Sequence, residues 1–240
     1  MRTGSDNAFH LTYCTNIHPG EDWATVAFTL KQHLPMLKAQ LAPETPFGVG
    51  LRLSNQATHT LLSGDRIPQF RRWLDDEGLY VFTLNGFPYG SFHGEVVKDR
   101  VYAPDWRTRE RVDYTIRLAR ILAALVPDGM AGSISTSPLS YKPWLDGSAT
   151  EEAFHTGSRH LAEVAVALAQ IEDETGVHLH VDLEPEPDCL IENAAESIAF
   201  FEDWLRPVGG ARLANALNVG EETAQSLLRR HIQLCYDTCH

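Results

Sequence analysis

The sequence predicts an α/β fold, a (β/α)8 barrel that ends after its sixth strand. Short β-type segments alternate with helical patterns along the chain, which is typical of right-handed βαβ units in a parallel sheet. The fifth segment carries its polar side chains on one face only. Polar residues also gather where the segments end, and this is the rim at which barrel enzymes hold their active sites.

Six segments have the composition of short strands, and five helical patterns follow the first five of them. The predicted strands are residues 9–15, 47–53, 79–84, 131–135, 177–183 and 232–236. The predicted helices are residues 22–41, 66–76, 107–125, 158–174 and 195–205. The fourth helix has the clearest pattern, because its apolar residues fall on one face at helical spacing and Gly176 closes it.

The choice between an open doubly wound sheet and a barrel depends on residues 177–183. One parity of this segment is apolar, whereas the other runs through His178, His180, Asp182 and Glu184. Because side chains alternate across a strand, these four share one face. A strand of an open parallel sheet should be apolar on both faces, but the inner face of a barrel strand can become polar near the mouth. We therefore expect a barrel, with His178 and His180 as hydrogen-bonded filling in its lower part.

A complete barrel has eight strands, whereas six units fill the 240 residues. We expect a single domain over residues 1–240 that lacks the last two βα units. Such a fragment has two unpaired sheet edges, which also allow self-association into a homo-oligomer.

Charge and composition exclude several classes of protein. The formal net charge of −12 repels a phosphate backbone, so we expect no nucleic-acid partner. No apolar run approaches the roughly 20 residues of a membrane span, and the polar N-terminus is unlike a signal peptide. Four scattered cysteines do not form a disulfide scaffold, which indicates a reducing, cytoplasmic setting.

The strongest candidate site combines Glu184, Asp237 and His240. Glu184 ends the fifth predicted strand and Asp237 ends the sixth, so adjacent barrel strands would bring the two carboxylates together at the rim. Carboxylates with an imidazole suit Mn²⁺, Mg²⁺ or Zn²⁺. The alternative is that both carboxylates only cap the helices that follow them.

Four further residues are candidates for binding a small-molecule substrate. His18 lies in the loop after the first strand, and His93 lies in a glycine- and aromatic-rich loop that could fold over a ligand. Arg52 could bind an anionic group, or it could form a buried ion pair with Asp182 or another barrel carboxylate. Asn85 could hydrogen-bond a polyol, although an asparagine at a strand end also stabilises turns.

The string Asp237-Thr238-Cys239-His240 resembles the Asp-Thr-x-His element of the xylose-isomerase-like barrels. That resemblance implies Glu184 and Asp237 as metal ligands and His240 as a substrate contact. Longer stretches are similar to the E component of the "metabolite traffic" (Ebo-type) clusters, a branch of the same barrels. These stretches are residues 12–21, 85–90, 135–142 and 183–187.

Three functional hypotheses follow. The first is a metal-dependent sugar or polyol isomerase or epimerase, in which the cation holds two substrate oxygens while a base removes the proton next to the carbonyl. Glu184 would be a ligand or the base. The second hypothesis is a non-catalytic carrier or scaffold for a small metabolite, as the traffic resemblance suggests. The third is an endonuclease-IV-like phosphodiesterase, which is disfavoured because His18 and His93 do not fit its pattern and because the chain is acidic.

Overall fold

A computed structural model of the protein describes residues 1–4, 9–90 and 98–239. Its main sheet has six strands in chain order. They are β1 (Thr12–Cys14), β2 (Phe47–Arg52), β3 (Leu79–Asn85), β4 (Gly132–Thr136), β5 (Leu179–Leu183) and β6 (Ile232–Leu234). A small antiparallel pair, Arg2–Thr3 with Phe9–His10, stands apart from this sheet.

Eight α-helices are present in the described part of the chain. They are α1 (Trp23–Leu41), α2 (Asn55–Leu61), α3 (Arg66–Asp76), α4 (Arg109–Leu125), α5 (Ser148–Thr175), α6 (Ala194–Ala199), α7 (Gly210–Leu217) and α8 (Glu221–His231). A π-helical stretch, Phe200–Gly209, joins α6 to α7. Short 3₁₀ turns occupy Thr15–Ile17, Lys98–Tyr102 and Lys142–Trp144.

The strands of the main sheet pair in the order in which they occur in the chain, and every pair is parallel. A doubly wound sheet reverses its strand order at a switch point, and the six described strands contain no reversal. Because parallel crossovers are right-handed, an unreversed order carries successive helices to the same side of the sheet. The predicted α/β class is therefore confirmed, and the arrangement is compatible with part of an α/β barrel.

The two faces of the sheet differ in polarity, as the alternation in β5 predicts. Leu179, Val181 and Leu183 are fully buried, whereas His180 and Asp182 between them are only half-buried. Strand β4 has the same alternation of buried and half-buried residues. The apolar parity therefore packs into the core with the helices, and the polar parity remains accessible.

A buried arginine holds the loop after β3 in place. Arg111 on α4 is fully buried, and its guanidinium donates to the carbonyl oxygens of Gly86, Phe87 and Pro104 at 2.7–2.9 Å. Burial lowers the pKa of Arg111 to about 10, which leaves it charged at neutral pH. This arginine therefore fixes the chain that leaves the carboxyl end of β3.

No helix in the described ranges combines the length and the apolar character needed to cross a bilayer.

Candidate functional site at the carboxyl end of the sheet

A row of polar side chains crosses the sheet near the carboxyl ends of its strands. The backbone register makes Arg52, Asn85, Ser135, Asp182 and Gln233 successive neighbours on β2 to β6. We call these five residues the polar row. Neighbours in register share one face of a sheet, so the row presents amide, hydroxyl and carboxylate groups side by side.

A histidine and a carboxylate pair along β5. The Nδ1 atom of His180 lies 2.6 Å from Oδ1 of Asp182. Since a carboxylate accepts, Nδ1 carries the hydrogen, and in the neutral imidazole the lone pair is therefore on Nε2. Sequence analysis predicts His180 to be hydrogen-bonded filling, and the hydrogen bond is present. The imidazole is also half-buried, so it is not sealed in the core.

Glu184 and Asp237 follow neighbouring strands, as predicted. Glu184 comes directly after β5, and its backbone N–H donates to the carbonyl oxygen of Thr136 at 3.0 Å. Asp237 comes three residues after β6, and its Oδ1 accepts the N–H of Cys239 at 2.6 Å. No strand separates β5 from β6 in the described sheet, and the pairing continues through the Cys235 N–H bond to Leu183.

The pKa of the Cys235 thiol reflects the acidic residues near these two strand ends. Burial raises the pKa of Cys235 to about 12, and the negative charges of Glu184, Asp182 and Asp237 add to the shift. Three carboxylates from β5, its exit and the segment after β6 thus act on one sulfur atom. We call Asp182, Glu184 and Asp237 the acidic group.

The acidic group has the chemistry of a site for a hard cation. Carboxylate oxygens are preferred by Mg²⁺ and Mn²⁺, and a nearby imidazole would also suit Zn²⁺. Within the described ranges, however, neither Glu184 nor Asp237 belongs to a set of three ligating side chains whose atoms lie within 4.8 Å of one another. Carboxylate oxygens are suitable ligands for such a cation, and the described residues supply part of its coordination shell.

Arg52 has an ion-pair partner other than Asp182. Its Nη2 lies 3.0 Å from Oε1 of Glu21, in the loop before α1, and its Nη1 donates to the carbonyl oxygen of Gly20 at 3.2 Å. The carbonyl oxygen of Gly90 accepts a further bond from Nη2. Arg52 is only 3% exposed, so it cross-links the loops after β1 and β3 as a largely structural ion pair.

The remaining predicted ligand-binding residues are placed as follows. His18 stacks on His33 of α1 with ring centroids 4.8 Å apart, and its Nε2 lies 2.9 Å from the hydroxyl of Tyr13. Asn85 belongs to the polar row, and its Oδ1 accepts the N–H of Phe87 at 3.0 Å, which stabilises a turn. His93 and His240 lie outside the described residues.

Two loops at the carboxyl end are bonded to one another. Tyr141 and Cys189 form an isolated antiparallel bridge between the loops after β4 and β5, and Leu190 donates its N–H to the carbonyl oxygen of Ser140 at 2.9 Å. The ammonium of Lys142 contacts Glu192 and Glu196. These bonds hold the rim beside the acidic group in a defined shape.

Sequence reasoning assigned His180 to packing and did not include Asp182 among the site residues. The signal that could have found both is the parity of β5, because it places His180 and Asp182 on the same face as Glu184.

No family model, curated protein or solved structure matches this chain.

Proposed function

We propose that this protein binds a small polyhydroxy metabolite at the carboxyl end of its sheet and interconverts sugar or polyol isomers or epimers. The observation that carries the proposal is the acidic group, in which Asp182 lies on β5 while Glu184 and Asp237 follow the paired strands β5 and β6. The polar row beside it offers the hydroxyl and amide groups that hydrogen-bond a polyol.

The proposal includes a xylose-isomerase-like barrel of the Ebo-type branch as the scaffold. The unreversed strand order supports a barrel over a doubly wound sheet. The half-buried polar parity of β4 and β5 also supports it, since the inner face of a barrel becomes polar toward its mouth.

Glu184 and Asp237 would hold the divalent cation, which supplies positive charge to substrate oxygens during proton removal. The protein residues provide the proton transfer. Asp182 fixes the tautomer of His180, so that Nε2 of the imidazole can accept a proton from carbon. Glu184 is the second candidate base, because it lies at the exit of the same strand.

A metabolite carrier is the second candidate function. It is favoured by the polar row, which offers hydrogen-bonding groups that need no cation, and by the bonds between the rim loops. A carrier needs the polar row and the fixed rim loops, but it does not need a complete metal shell.

Proton exchange in D₂O tests the enzymatic proposal whichever isomer is the product. The protein is stripped with EDTA, reloaded with Mn²⁺ and incubated with a panel of ketoses. Deuterium uptake at the carbon next to the carbonyl is then followed by NMR. We expect uptake with the unaltered protein, and at least about a 100-fold loss in Asp237→Asn and in His180→Gln. Asp237→Asn keeps an Oδ1 acceptor for Cys239, and His155→Gln alters an exposed histidine as the control.

Thermal shift with the same sugars separates the two functions. The carrier function is supported if a sugar stabilises both the unaltered protein and Asp237→Asn while no variant takes up deuterium. Neither stabilisation nor uptake in the unaltered protein would overturn both functions.

A further inference from the structure

Three side chains converge at the amino end of the sheet, opposite the acidic group. Glu172 lies in the last turn of α5, His178 lies directly before β5, and His231 is the last residue of α8. Their ligating atoms all lie within 4.8 Å of one another. We call these residues the amino-end cluster.

His231 points an unpartnered nitrogen into this cluster. The residue is fully buried, and its Nδ1 donates to the carbonyl oxygen of Leu179 at 2.7 Å. The Nε2 atom therefore holds a lone pair, and it is buried without a hydrogen-bond partner among the described residues. It lies 3.6 Å from Oε2 of Glu172. An imidazole whose Nδ1–H is held by a carbonyl while Nε2 is available is the usual arrangement of a metal-ligating histidine.

Both distances from Glu172 suit a small tetrahedral cation, and the two histidine nitrogens lie within 4.8 Å of each other. Tetrahedral zinc, with metal–ligand distances of about 2.0–2.1 Å, places its ligand atoms about 3.3 Å apart. Oε2 of Glu172 lies 3.3 Å from Nδ1 of His178 and 3.6 Å from Nε2 of His231. Only shifts of a few tenths of an ångström separate these distances from that geometry.

The protonation states at neutral pH also suit metal binding. Burial lowers the pKa of His231 and of His178, so both imidazoles are neutral. The hydrogen bond from Arg230 is the largest of the effects that lower the pKa of Glu172 to about 2, so this residue is a carboxylate. A metal would displace few protons from this set.

We propose that Glu172, His178 and His231 form a zinc-type binding site that ties α5, β5 and α8 together, with water at the fourth position. His178 would bind through Nδ1, its hydrogen moving to Nε2 by exchange with solvent. The site is independent of the proposed function, because it lies at the other end of the strands.

Arg230 competes with the cation for Glu172. Its Nε lies 3.1 Å from Oε2 of Glu172, and its Nη2 contacts Oε1. The arginine side chain is about half exposed, so its removal costs the fold little. Arg230→Gln should therefore tighten zinc binding on the order of tenfold, because a neighbouring positive charge is removed.

The test uses the full chain carrying Glu184→Gln and Asp237→Asn, so that metal at the carboxyl end does not contribute. Zn²⁺ is titrated by calorimetry, and Co²⁺ binding is followed by visible absorption. We expect one ion per chain, with tetrahedral Co²⁺ bands and without the near-ultraviolet bands of thiolate ligation. Glu172→Gln and His178→Ala should each weaken binding by at least about 100-fold. His155→Ala, also on α5 but exposed, is the matched control.

Zn²⁺ should also raise the melting temperature of the parent chain, and circular dichroism checks that each variant is folded. Equal affinity in Glu172→Gln and His178→Ala, or no binding in the folded parent, would overturn the proposal. Weaker binding after Arg230→Gln would also contradict the geometry, because Arg230 would then support the site.

Discussion

At the level of single residues, burial holds His178 and His231 in their neutral forms. Their pKa values are lowered in the folded protein, chiefly by loss of hydration. An unfolded histidine titrates near pH 6.5. Below that pH the unfolded chain therefore binds more protons than the folded chain, and stability falls as pH decreases toward the folded pKa values. Glu172 adds a second loss at lower pH, below its unfolded pKa of about 4.5, because its folded pKa is about 2.

His178→Gln should reduce the loss of stability on acidification. Each histidine with a lowered pKa can contribute up to about 1.4 kcal/mol per pH unit. The free energy of unfolding in urea, measured with EDTA at pH 7.5 and at pH 5.5, should differ less in the variant than in the unaltered protein. His59→Gln, at an exposed site on α2, should show the unaltered pH dependence. Parallel pH dependence in His178→Gln would contradict the argument.

The positions of the candidate site residues could be predicted from the sequence only in part. Glu184 and Asp237 were predictable, because parallel neighbours end at one edge of a sheet and both residues follow strands. The partner of Arg52 was not, because Glu21 lies in a loop whose path cannot be read from periodicity. The amino-end cluster was also missed, because its members are joined by the docking of α8 and not by a pattern within one strand.

At the level of elements, β4 separates a buried face from an accessible polar face. Ile134 is fully buried against the core, whereas its neighbour Ser135 belongs to the polar row and is half-buried. The buried residues of β4 should therefore provide its stability, and the half-buried polar residues should provide its function.

Replacement of the two neighbours by alanine tests this division. Ile134→Ala should lower the free energy of unfolding by about 2–4 kcal/mol, because it removes buried methyl groups and leaves a cavity. Ser135→Ala should cost less than about 1 kcal/mol. Urea denaturation of both variants checks the difference, and similar losses would show that the two faces are equally buried in solution.

Helix ends were predictable where a capping residue marks them. Asp22 accepts the N–H of Thr25 at the start of α1, and Gly176 closes α5 with a φ of 72°. The prediction was wrong at the start of α5, which begins at Ser148 instead of residue 158. Gly157 lies inside α5, where an added Cβ atom would meet the side chain of Leu139 at 2.9 Å. The glycine serves close packing and not a turn.

Helices α2 and α8 were not predicted from the sequence, and one predicted strand is divided in the structure. Helix α2 is short and is capped by Ser54, whose hydroxyl accepts the N–H of Ala57 at 3.1 Å. Helix α8 has acidic residues in its first turn and basic residues in its last, which is the charge pattern that a helix dipole favours. Predicted strand 9–15 divides, because Phe9–His10 pairs with Arg2–Thr3 while Thr12–Cys14 pairs with β2.

At the scale of the whole molecule, the outer strands of the sheet influence whether copies of the protein associate. In the described chain β6 is an outer strand, and Leu234 at its end is 44% exposed although it lies in register with the buried Leu183. Tyr236, just beyond, is 89% exposed. An apolar outer strand of this kind promotes association between sheets.

Leu234→Lys should raise the protein concentration at which aggregates form, because a charge on an outer strand opposes edge-to-edge pairing. Light scattering during a concentration series measures the onset. Gln56→Lys adds the same charge at an exposed site on α2, away from the sheet edge, and is the matched control. An unchanged onset in Leu234→Lys would show that β6 does not mediate association.

The pairing of each strand with its chain neighbour has a consequence for biosynthesis. A newly made strand can pair with the strand that left the ribosome one unit earlier, because neighbours in the chain are also neighbours in the sheet. Among the six described strands, none has to wait for a distant segment or insert between two others. The sheet can thus form by adding one strand at a time during translation. The apolar face of an incomplete sheet would then be exposed only briefly.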